Sequence, residues 1–362
     1  MYKDRIASVA RSLHNSGKDA IFITPSADLR YLTGYDALPL ERLTCLAIKS
    51  DGTSWLTVPA LERPSALAHG VADIGIELLS WQETQDPYAQ LLDAVSPTSS
   101  LLVNNSMWVE KAFGLQAAAG INVSLAGKLL SDIREVKTAK EIEFLHEAGH
   151  AIDKVHENMH KWLRPGRTER EVGKDIAEAI LAAGHVTVDF VIVASGPNGA
   201  SAHHELSDRV ISVGEPVVVD IGGTMPSGYC SDCTRMYVCG QPPQDFVEHF
   251  QVLLSAQEAA RMHAAPGVTC ESVDEAARNV LESAGLGEYF VHRTGHGIGM
   301  QTHEEPYIVS GNKTLLVPGH AFSIEPGFYM PDKFGARIED IVTCTTDGIK
   351  SANNTSRELV VL

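Results

Sequence analysis

The sequence predicts two domains, a small α/β domain over residues 1–130 and a larger α+β domain over residues 131–362. Three observations support this division. A chain of 362 residues has the length of about two domains. Residues 20–105 alternate strand-like and helix-like segments, whereas a long helical stretch begins after residue 138. Residues 165–285 contain two copies of one helical pattern, which indicates an internal duplication.

Composition excludes several classes of partner. The formal net charge is -17 and no basic block occurs, which argues against nucleic acid and anionic membranes. The longest apolar runs, such as residues 216–221, are too short to span a bilayer, and the N-terminus lacks the apolar stretch of a signal peptide. Six cysteines without framework spacing predict reduced thiols in a cytoplasmic protein. Cys230 and Cys233 form an isolated CxxC, which is weak evidence for zinc.

The first domain shows strand patterns without a cluster of catalytic residue types. Short apolar runs predict strands at residues 20–24, 45–48, 54–58 and 101–105. The boundary leads into a helix that we expect to run to about Leu163. Thr138 is the predicted N-cap of this helix, and Glu141 is its capping-box partner.

The internal repeat has a constant offset of 101 residues. Pro165-Gly166-Arg167-Thr168 is echoed by Pro266-Gly267-Val268-Thr269, and Ala183-Gly184 is echoed by Ala284-Gly285. Each copy reads as a helix, a Pro-Gly break, a Thr-capped helix and a glycine stop. We therefore predict two copies of a helix–helix unit, each followed by a hairpin.

Each predicted hairpin carries one carboxylate on each arm. Asp220 and Asp232 are each six residues from Pro226, and Glu325 and Glu339 are each seven residues from Asp332. Antiparallel folding about these centres would set the two acids of each hairpin opposite one another.

Like charges on buried strands are unfavourable unless something neutralises them. Two divalent cations would do so, and His296 in a glycine-rich turn would add a nitrogen ligand. The alternative is that the acids face solvent, and it loses weight because two matched hairpins occur in one repeat. Three further histidines, His203, His292 and His303, lie in loops beside these strands. In contrast, we interpret His146, His150, His156 and His160 as a solvated helix surface.

These motifs resemble those of the pita-bread metallopeptidases, which include methionine aminopeptidase, aminopeptidase P and prolidase. The matching segments are VVVDIGG with SDCTR, HRTGHGIG, SIEPG and ARIED, in family order. The first domain resembles the creatinase-like N-terminal domain of prolidase and aminopeptidase P. The resemblance thus implies a creatinase-like α/β domain and an α+β pita-bread catalytic domain with an internal pseudo-twofold repeat.

The resemblance also implies the site. Its metal ligands would be Asp220, Asp232, His296, Glu325 and Glu339. They would hold two divalent ions, manganese by preference, with cobalt and zinc as alternatives. His203, His292 and His303 match substrate-facing histidines, and Arg337 matches an arginine that supports the site. The chain has Ala202-His203-His204 where the family often has Pro-His-Gly, so His204 is the alternative to His203.

The implied activity is hydrolysis of Xaa-Pro dipeptides by a hydroxide that bridges the two metals, with Glu325 as general base. The rival is aminopeptidase P, which acts on longer Xaa-Pro peptides, and a remote alternative is a non-catalytic peptide-binding relative. A dipeptidase must recognise the carboxylate beyond proline, and Arg42 in the first domain is one candidate, within one chain or across a homodimer; the alternative is that Arg42 is a surface residue.

Overall fold

The computed structural model describes residues 1–362. The chain divides into two compact units, Met1–Arg134 and Glu135–Leu362, here called the N-terminal and C-terminal units. None of the helices has both the length and the apolar character that crossing a bilayer would require. All six cysteines are free and buried.

The N-terminal unit contains one mixed sheet. Its strands are β1 (Ala20–Ile23), β2 (Cys45–Lys49), β3 (Ser54–Pro59), β4 (Glu77–Trp81), β5 (Leu101–Val103) and β6 (Val123–Leu125). The helices in this part of the chain are α1 (Tyr2–Asn15), α2 (Ala27–Thr33), α3 (Arg63–Ala68), α4 (Pro87–Val95), α5 (Val109–Ala119) and α6 (Lys128–Glu135). The strand order is β4-β3-β2-β1-β5-β6. The four predicted strands are confirmed, whereas β4 and β6 were missed because most of their residues are partly exposed and give no continuous apolar run.

The C-terminal unit combines four helices with three sheets. The helices are α7 (Ala139–Glu157), α8 (Glu169–Ala182), α9 (Gln244–His263) and α10 (Cys270–Ser283). The strands are β7 (Thr187–Ser195), β8 (Pro216–Thr224), β9 (Cys230–Val238), β10 (Gly295–Gly297), β11 (Glu304–Ile308), β12 (Ala321–Ile324), β13 (Gly327–Met330), β14 (Phe334–Arg337), β15 (Asp340–Cys344), β16 (Ile349–Ser351) and β17 (Val360–Val361). The sheet orders are β17-β9-β8-β7, β11-β10-β12-β15-β16 and β13-β14.

The internal repeat is confirmed at the level of the backbone. Helices α8 and α10 each have 14 residues and begin 101 positions apart. Gly166 and Gly267 both have φ of +86°, a left-handed conformation that favours glycine. The side chains of Thr168 and Thr269 accept backbone hydrogen bonds at the two helix starts. The two copies therefore share the same break and the same cap.

Each copy has its own apolar core, and β8 lies between the two. The odd-numbered residues Val217, Val219 and Ile221 belong to the core that includes residues of α7 and α8. Val218, an even-numbered residue, belongs to the core that includes residues of α9 and α10. Because side chains alternate along a strand, Asp220 lies on the Val218 face of β8.

The helix that bears four histidines differs from the prediction in two ways. Helix α7 begins at the predicted capping box but ends at Glu157, before a short 3-10 turn. His156 is buried rather than solvated, and its ring nitrogens contact the Tyr237 hydroxyl at 2.9 Å and the Cys233 carbonyl oxygen at 3.1 Å. The surface interpretation was therefore wrong for His156, because its helix face packs against β9.

Protonation of His156 should destabilise the fold in acid. Burial lowers its pKa from 6.5 to about 3, so the unfolded chain binds more protons between these pH values. The stability that neutral His156 contributes is thus complete above pH 6.5 and is lost as the pH falls toward 3. We expect the free energy of unfolding of the metal-free protein to fall through this group by about 2 kcal/mol between pH 7.5 and pH 5.

Urea denaturation at several pH values would measure this effect. His156→Gln should flatten the pH dependence, whereas His160→Gln, at an exposed position just beyond the same helix, should leave it unchanged. An identical pH dependence in wild type and H156Q would contradict the prediction.

Candidate metal centre

The first pair of acids lies on β8 and β9, with a register that differs from the prediction. Asp220 pairs with Thr234, and Asp232 pairs with Gly222, so the aspartates are diagonal rather than directly opposite. The turn spans residues 225–229 and is closed by a hydrogen bond from the Met225 amide to the Tyr229 carbonyl, with Gly228 at φ of +85°. The shift is two residues, an even number, so both aspartates keep the predicted common face.

The second pair of acids follows the predicted register but lies between strand pairs. Ile324 pairs with Asp340 on one side and Gly327 pairs with Arg337 on the other, and both pairings are centred on Asp332. Glu325 and Glu339 lie at the junction between the β12–β15 pair and the β13–β14 pair. Their backbone amides donate instead to the carbonyls of Thr294 (2.8 Å) and Thr234 (3.2 Å). These two bonds tie Glu325 to the segment that precedes β10 and Glu339 to β9.

The position of His296 on β10 depends on the glycines that flank it. A Cβ atom at Gly295 would lie 1.9 Å from the Ser323 carbonyl oxygen, and one at Gly297 would lie 2.2 Å from the Glu305 carbonyl oxygen. No larger residue fits without moving the backbone. The ring Nδ1 of His296 lies 3.0 Å from the Gly297 carbonyl, which leaves Nε2 as a free nitrogen ligand directed at the acids.

The five predicted ligands line one cavity of about 590 Å³. His296 Nε2 lies 3.0 Å from Glu325 Oε1, 3.7 Å from Asp232 Oδ2 and 4.0 Å from Glu339 Oε1. Ligand atoms of Asp232, His296 and Glu339 lie within 4.8 Å of one another. The structure thus brings together residues that are up to 119 positions apart, as Asp220 and Glu339 are.

The electrostatics of the cavity fit divalent cations. Burial raises the pKa values of Asp232 and Glu339 well above the ordinary range of carboxylic acids, and repulsion adds to the shift, first from Glu339 at Asp232 and first from Glu325 at Glu339. Asp220 Oδ1 and Glu339 Oε1 are buried without a hydrogen-bond partner. Acceptors left unpaired in this way are costly, and cation ligation would satisfy them. The donor set of oxygens and one imidazole suits manganese, cobalt or zinc.

Glu325 differs from the other acids in its surroundings. Burial opposes its charged form, but His296, His292 and Arg337 outweigh burial and lower the pKa of Glu325 below its ordinary value. The Ser323 hydroxyl donates to Glu325 Oε1 at 2.9 Å and also accepts from the His296 amide. Glu325 is therefore ionised at neutral pH and held in one orientation.

Arg337 connects the acids to the substrate side of the cavity. Its guanidinium is buried and hydrogen-bonds to Asp220, to the Thr234 hydroxyl (3.1 Å) and to the Tyr329 hydroxyl (2.6 Å). It also donates to the carbonyl of Ala202 at 3.3 Å. The predicted supporting arginine thus contacts one of the predicted ligands directly.

The three predicted substrate-side histidines line the same cavity but differ in their contacts. Both ring nitrogens of His292 are engaged, by the Arg293 carbonyl at 2.7 Å and the Tyr329 hydroxyl at 2.8 Å. The ring of His303 lies edge-on to that of His296, with centroids 4.2 Å apart, and burial and His296 lower the pKa of His303 to about 4. His203 lines the cavity, whereas His204 bonds to Glu169 at 2.8 Å.

Sequence reasoning missed several residues that line the cavity. Phe190 and Ile192 of β7 form an apolar wall, and Arg293 lies next to His292. Arg293 is part of the HRTGHG segment, so its position beside a predicted site histidine was a usable signal. Its guanidinium lies 4.3 Å from the Tyr307 ring centroid and has no acidic partner. Arg42, in the N-terminal unit, is bonded to Glu41 (2.6 Å) and Glu83 (2.7 Å).

Comparison with known proteins agrees with these features. The profile of Metallopeptidase family M24 matches residues 143–346, and that of the Creatinase/Prolidase N-terminal domain matches residues 5–136. A probable dipeptidase PepE of Mycobacterium tuberculosis is 48% identical over 100% of this chain and 97% of its own. An Xaa-Pro dipeptidase of Lactobacillus delbrueckii subsp. lactis is 35% identical over 97% of this chain and 96% of its own. The crystal structure of the dipeptidase PepE from Mycobacterium ulcerans has a TM-score of 0.95 and 48% identity, and the match covers 99% of this chain and 97% of that one.

Removal of one acid should stabilise the metal-free protein. The folded-state pKa of Asp232 is raised above its unfolded value. The stability that protonated Asp232 contributes to the metal-free protein is therefore lost as the pH rises through the folded-state pKa. We expect Asp232→Asn to increase the free energy of unfolding at pH 8 by at least about 1 kcal/mol. The same substitution should reduce the stabilisation that added manganese produces.

Thermal unfolding with and without manganese measures both effects. Asp93→Asn, an exposed position on α4, is the matched control and should change neither. A D232N protein that is less stable than wild type without metal would show that repulsion involving Asp232 does not destabilise the metal-free cavity. A D232N protein that gains as much stability from manganese as wild type would show that Asp232 does not contribute to metal binding.

Proposed function

The chain belongs to Metallopeptidase family M24, and we propose that it hydrolyses Xaa-Pro dipeptides with two divalent metal ions. The observation that carries this proposal is one cavity that combines the five candidate metal-ligand side chains with an arginine that has no acidic partner. The name of the Lactobacillus relative, an Xaa-Pro dipeptidase, supports the same substrate class. The cytoplasmic location and the homodimer stay predictions.

The proposed ligands are Asp220, Asp232, His296, Glu325 and Glu339, with manganese as the first choice of ion and cobalt or zinc as alternatives. When bound, two such ions lower the pKa of a water nucleophile and polarise the scissile carbonyl. The four acids carry more negative charge than His296 and Arg337 can balance, so the site can hold the positive charge of two such ions.

Glu325 is the proposed general base. It is ionised, oriented by Ser323 and close to His296, so it can take the proton of the water nucleophile and pass it to the leaving proline nitrogen. That nitrogen needs a proton because, as part of a tertiary amide, it carries none of its own. Phe190 and Ile192 offer an apolar wall for the proline ring.

His303 is the best candidate to donate a hydrogen bond to the oxyanion. Its lowered pKa keeps the ring neutral at pH 7, and a neutral imidazole still has one N–H donor. His292 has both nitrogens engaged, so its proposed role is to orient Tyr329 and the neighbouring Arg293 backbone. His203 makes no hydrogen bond with the protein and remains available for substrate.

Recognition of a dipeptide requires a cation for the carboxylate that follows proline. Arg337 is committed to Asp220, and Arg42 is bonded to two glutamates. Arg293 lines the cavity without an acidic partner, so we assign carboxylate recognition to Arg293 in preference to Arg42.

Substrate length separates the two enzymatic hypotheses. We expect the manganese-loaded protein to cleave Ala-Pro much faster than Ala-Pro-Ala, because the longer peptide moves the terminal carboxylate away from Arg293. Glu325→Gln should abolish both reactions while thermal unfolding stays cooperative. Efficient cleavage of Ala-Pro-Ala would favour aminopeptidase P, and undiminished turnover by E325Q would refute the proposed base. Binding of peptides by the wild type without any hydrolysis would support the non-catalytic alternative.

The role of Arg293 can be tested with one matched pair of variants. Arg293→Ala should lower kcat/KM for Ala-Pro by about 10–150-fold, which is the loss expected for one charge-assisted hydrogen bond of about 1.5–3 kcal/mol. Its effect on Ala-prolinamide, which lacks the carboxylate, should be much smaller. Arg42→Ala is the control and should leave both substrates nearly unchanged. If R42A loses activity selectively on Ala-Pro and R293A does not, the assignment reverts to Arg42.

A further inference from the structure

The segment that carries His203 runs between β7 and β8, and the backbone of Gly199 near its start packs against Gly335 of β14. Ala202 and His203 line the cavity, and the Ala202 carbonyl accepts from Arg337. The His203 side chain is exposed and makes no hydrogen bond with the protein. Its position in the cavity therefore depends on how the backbone of residues 196–207, here called the His203 segment, is held.

A buried carboxylate of α8 holds this segment together with the adjoining end of β7. The side chain of Glu169 is fully buried and accepts hydrogen bonds from five groups. These are the Ser195 amide (2.8 Å), the Ser195 hydroxyl (2.8 Å), the Asn198 amide group (3.0 Å), His204 Nε2 (2.8 Å) and the Ser207 hydroxyl (2.5 Å). Three of the donors are side chains of the segment, Asn198 near its start and His204 and Ser207 near its end, so one carboxylate bridges the two ends of the segment.

The charge on Glu169 is stabilised without a direct lysine or arginine contact. Burial alone would raise the pKa of Glu169, but the hydrogen bonds from Ser207, Ser195 and His204 lower it below its ordinary value. Its place in the first turn of α8 favours a negative charge further. Arg209 donates to the Ser195 hydroxyl at 2.7 Å, so a cation lies one hydrogen bond away.

The apolar contact of the segment also falls on α8, one turn further along. A Cβ atom at Gly173 would lie 2.6 Å from a methyl carbon of Leu206, so the absence of a side chain there gives Leu206 its space. Residues 169 and 173 lie on the same helix face, since they are four positions apart. One face of α8 thus contacts the segment at two points: the Glu169 carboxylate accepts its hydrogen bonds, and Gly173 leaves space for Leu206.

The second copy of the repeat does not use the equivalent residue in this way. The position that matches Glu169 at the offset of 101 is Cys270, a buried thiol within an apolar core. The buried carboxylate of α10 is instead Asp274, one turn later, which accepts from the amide and hydroxyl of Thr294. The repeat geometry alone therefore does not require Glu169, which points to a role in the first copy only.

We propose that Glu169 is a positioning residue that sets His203 toward the substrate, acting through His204, Ser207 and the backbone between them. This inference rests on the proposed function of the cavity, in which His203 contacts the peptide. Glu169 itself touches neither the five proposed ligands nor the cavity.

A double-mutant cycle tests the coupling. In Glu169→Gln one oxygen becomes an N–H₂ group that faces donors, so the segment should loosen. We expect kcat/KM for Ala-Pro to fall by about 10–100-fold in E169Q, because a small misplacement of a substrate contact has effects of this size. In a His203→Ala background the same substitution should change kcat/KM by less than about threefold. An equal loss in both backgrounds would overturn the proposal.

Glu171→Ala is the matched control on the same helix. Glu171 is exposed and caps the Thr168 amide at 2.9 Å without contacting the segment. E171A should weaken the start of α8 and leave kcat/KM unchanged; a loss equal to that of E169Q would overturn the proposal, because helix stability alone would then explain it. If E169Q fails to fold, Ser207→Ala, which removes one donor, takes its place in the same cycle.

Hydrogen–deuterium exchange tests the inference without activity. In E169Q the exchange of residues 196–207 should rise, while that of residues 292–303, which carry the other cavity histidines, should not. No rise in residues 196–207, or an equal rise in both segments, would overturn the proposal. A wild type that cleaves no Xaa-Pro peptide would refute the proposed function, and the exchange comparison would still decide whether Glu169 holds the His203 segment.

Discussion

Four carboxylates face one cavity, three of them buried and that of Glu325 mostly buried, and their mutual repulsion is the constraint on which the rest of the C-terminal unit depends. The protein supplies one guanidinium and one imidazole against them, from Arg337 and His296. The deficit appears as raised pKa values at Asp232 and Glu339 and as two unpaired buried oxygens. Such a site is costly to form from protein groups alone, and divalent cations remove that cost. The glycine-flanked β10 and the break between β12 and β13 serve to place the ligands around one point.

The duplication explains how a chain can form such a site. Each copy contributes a helix pair and two acids on antiparallel arms, and the copies differ mainly in the hairpin that comes after the helices. In the first copy the acids lie within one continuous hairpin of β8 and β9. In the second copy the hairpin is interrupted at Glu325 and Glu339, whose amides bond to Thr294 and Thr234. The interruption joins the second copy to the first, because Thr234 lies on β9 and its hydroxyl also donates to Glu339.

Local signals in the sequence were sufficient for much of this architecture. The Pro-Gly breaks, the threonine caps and the turn at Asp332 act over a few residues, so the repeat and the register of the second hairpin could be predicted. Gly228 permits a turn centred on Ser227 rather than on Pro226. Moving the centre by one residue changes the strand register of the first hairpin by two residues. The burial of His156 and the availability of Arg293 depend on residues that are far away in the sequence. Burial of His156 requires β9 beside α7, and the availability of Arg293 requires that no acid lies near it, which no local pattern reveals.

The proposed metal side of the cavity is built from acids that match between the two copies of the repeat, whereas the proposed substrate side is not. The proposed metal-ligand face has matched acids from both copies, so a change in either copy disturbs the charge balance of all four. The proposed substrate face is held by acids that are not matched, since Glu169 bonds to the His203 segment and Asp274 bonds to Thr294, within the HRTGHG segment. Neither Glu169 nor Asp274 is a proposed ligand, but both supports are connected to the metal side, because the Ala202 carbonyl accepts from Arg337 and the Thr294 carbonyl accepts from the Glu325 amide. On the proposed function, the loops and their buried supports act on substrate choice, and the acids act on hydrolysis.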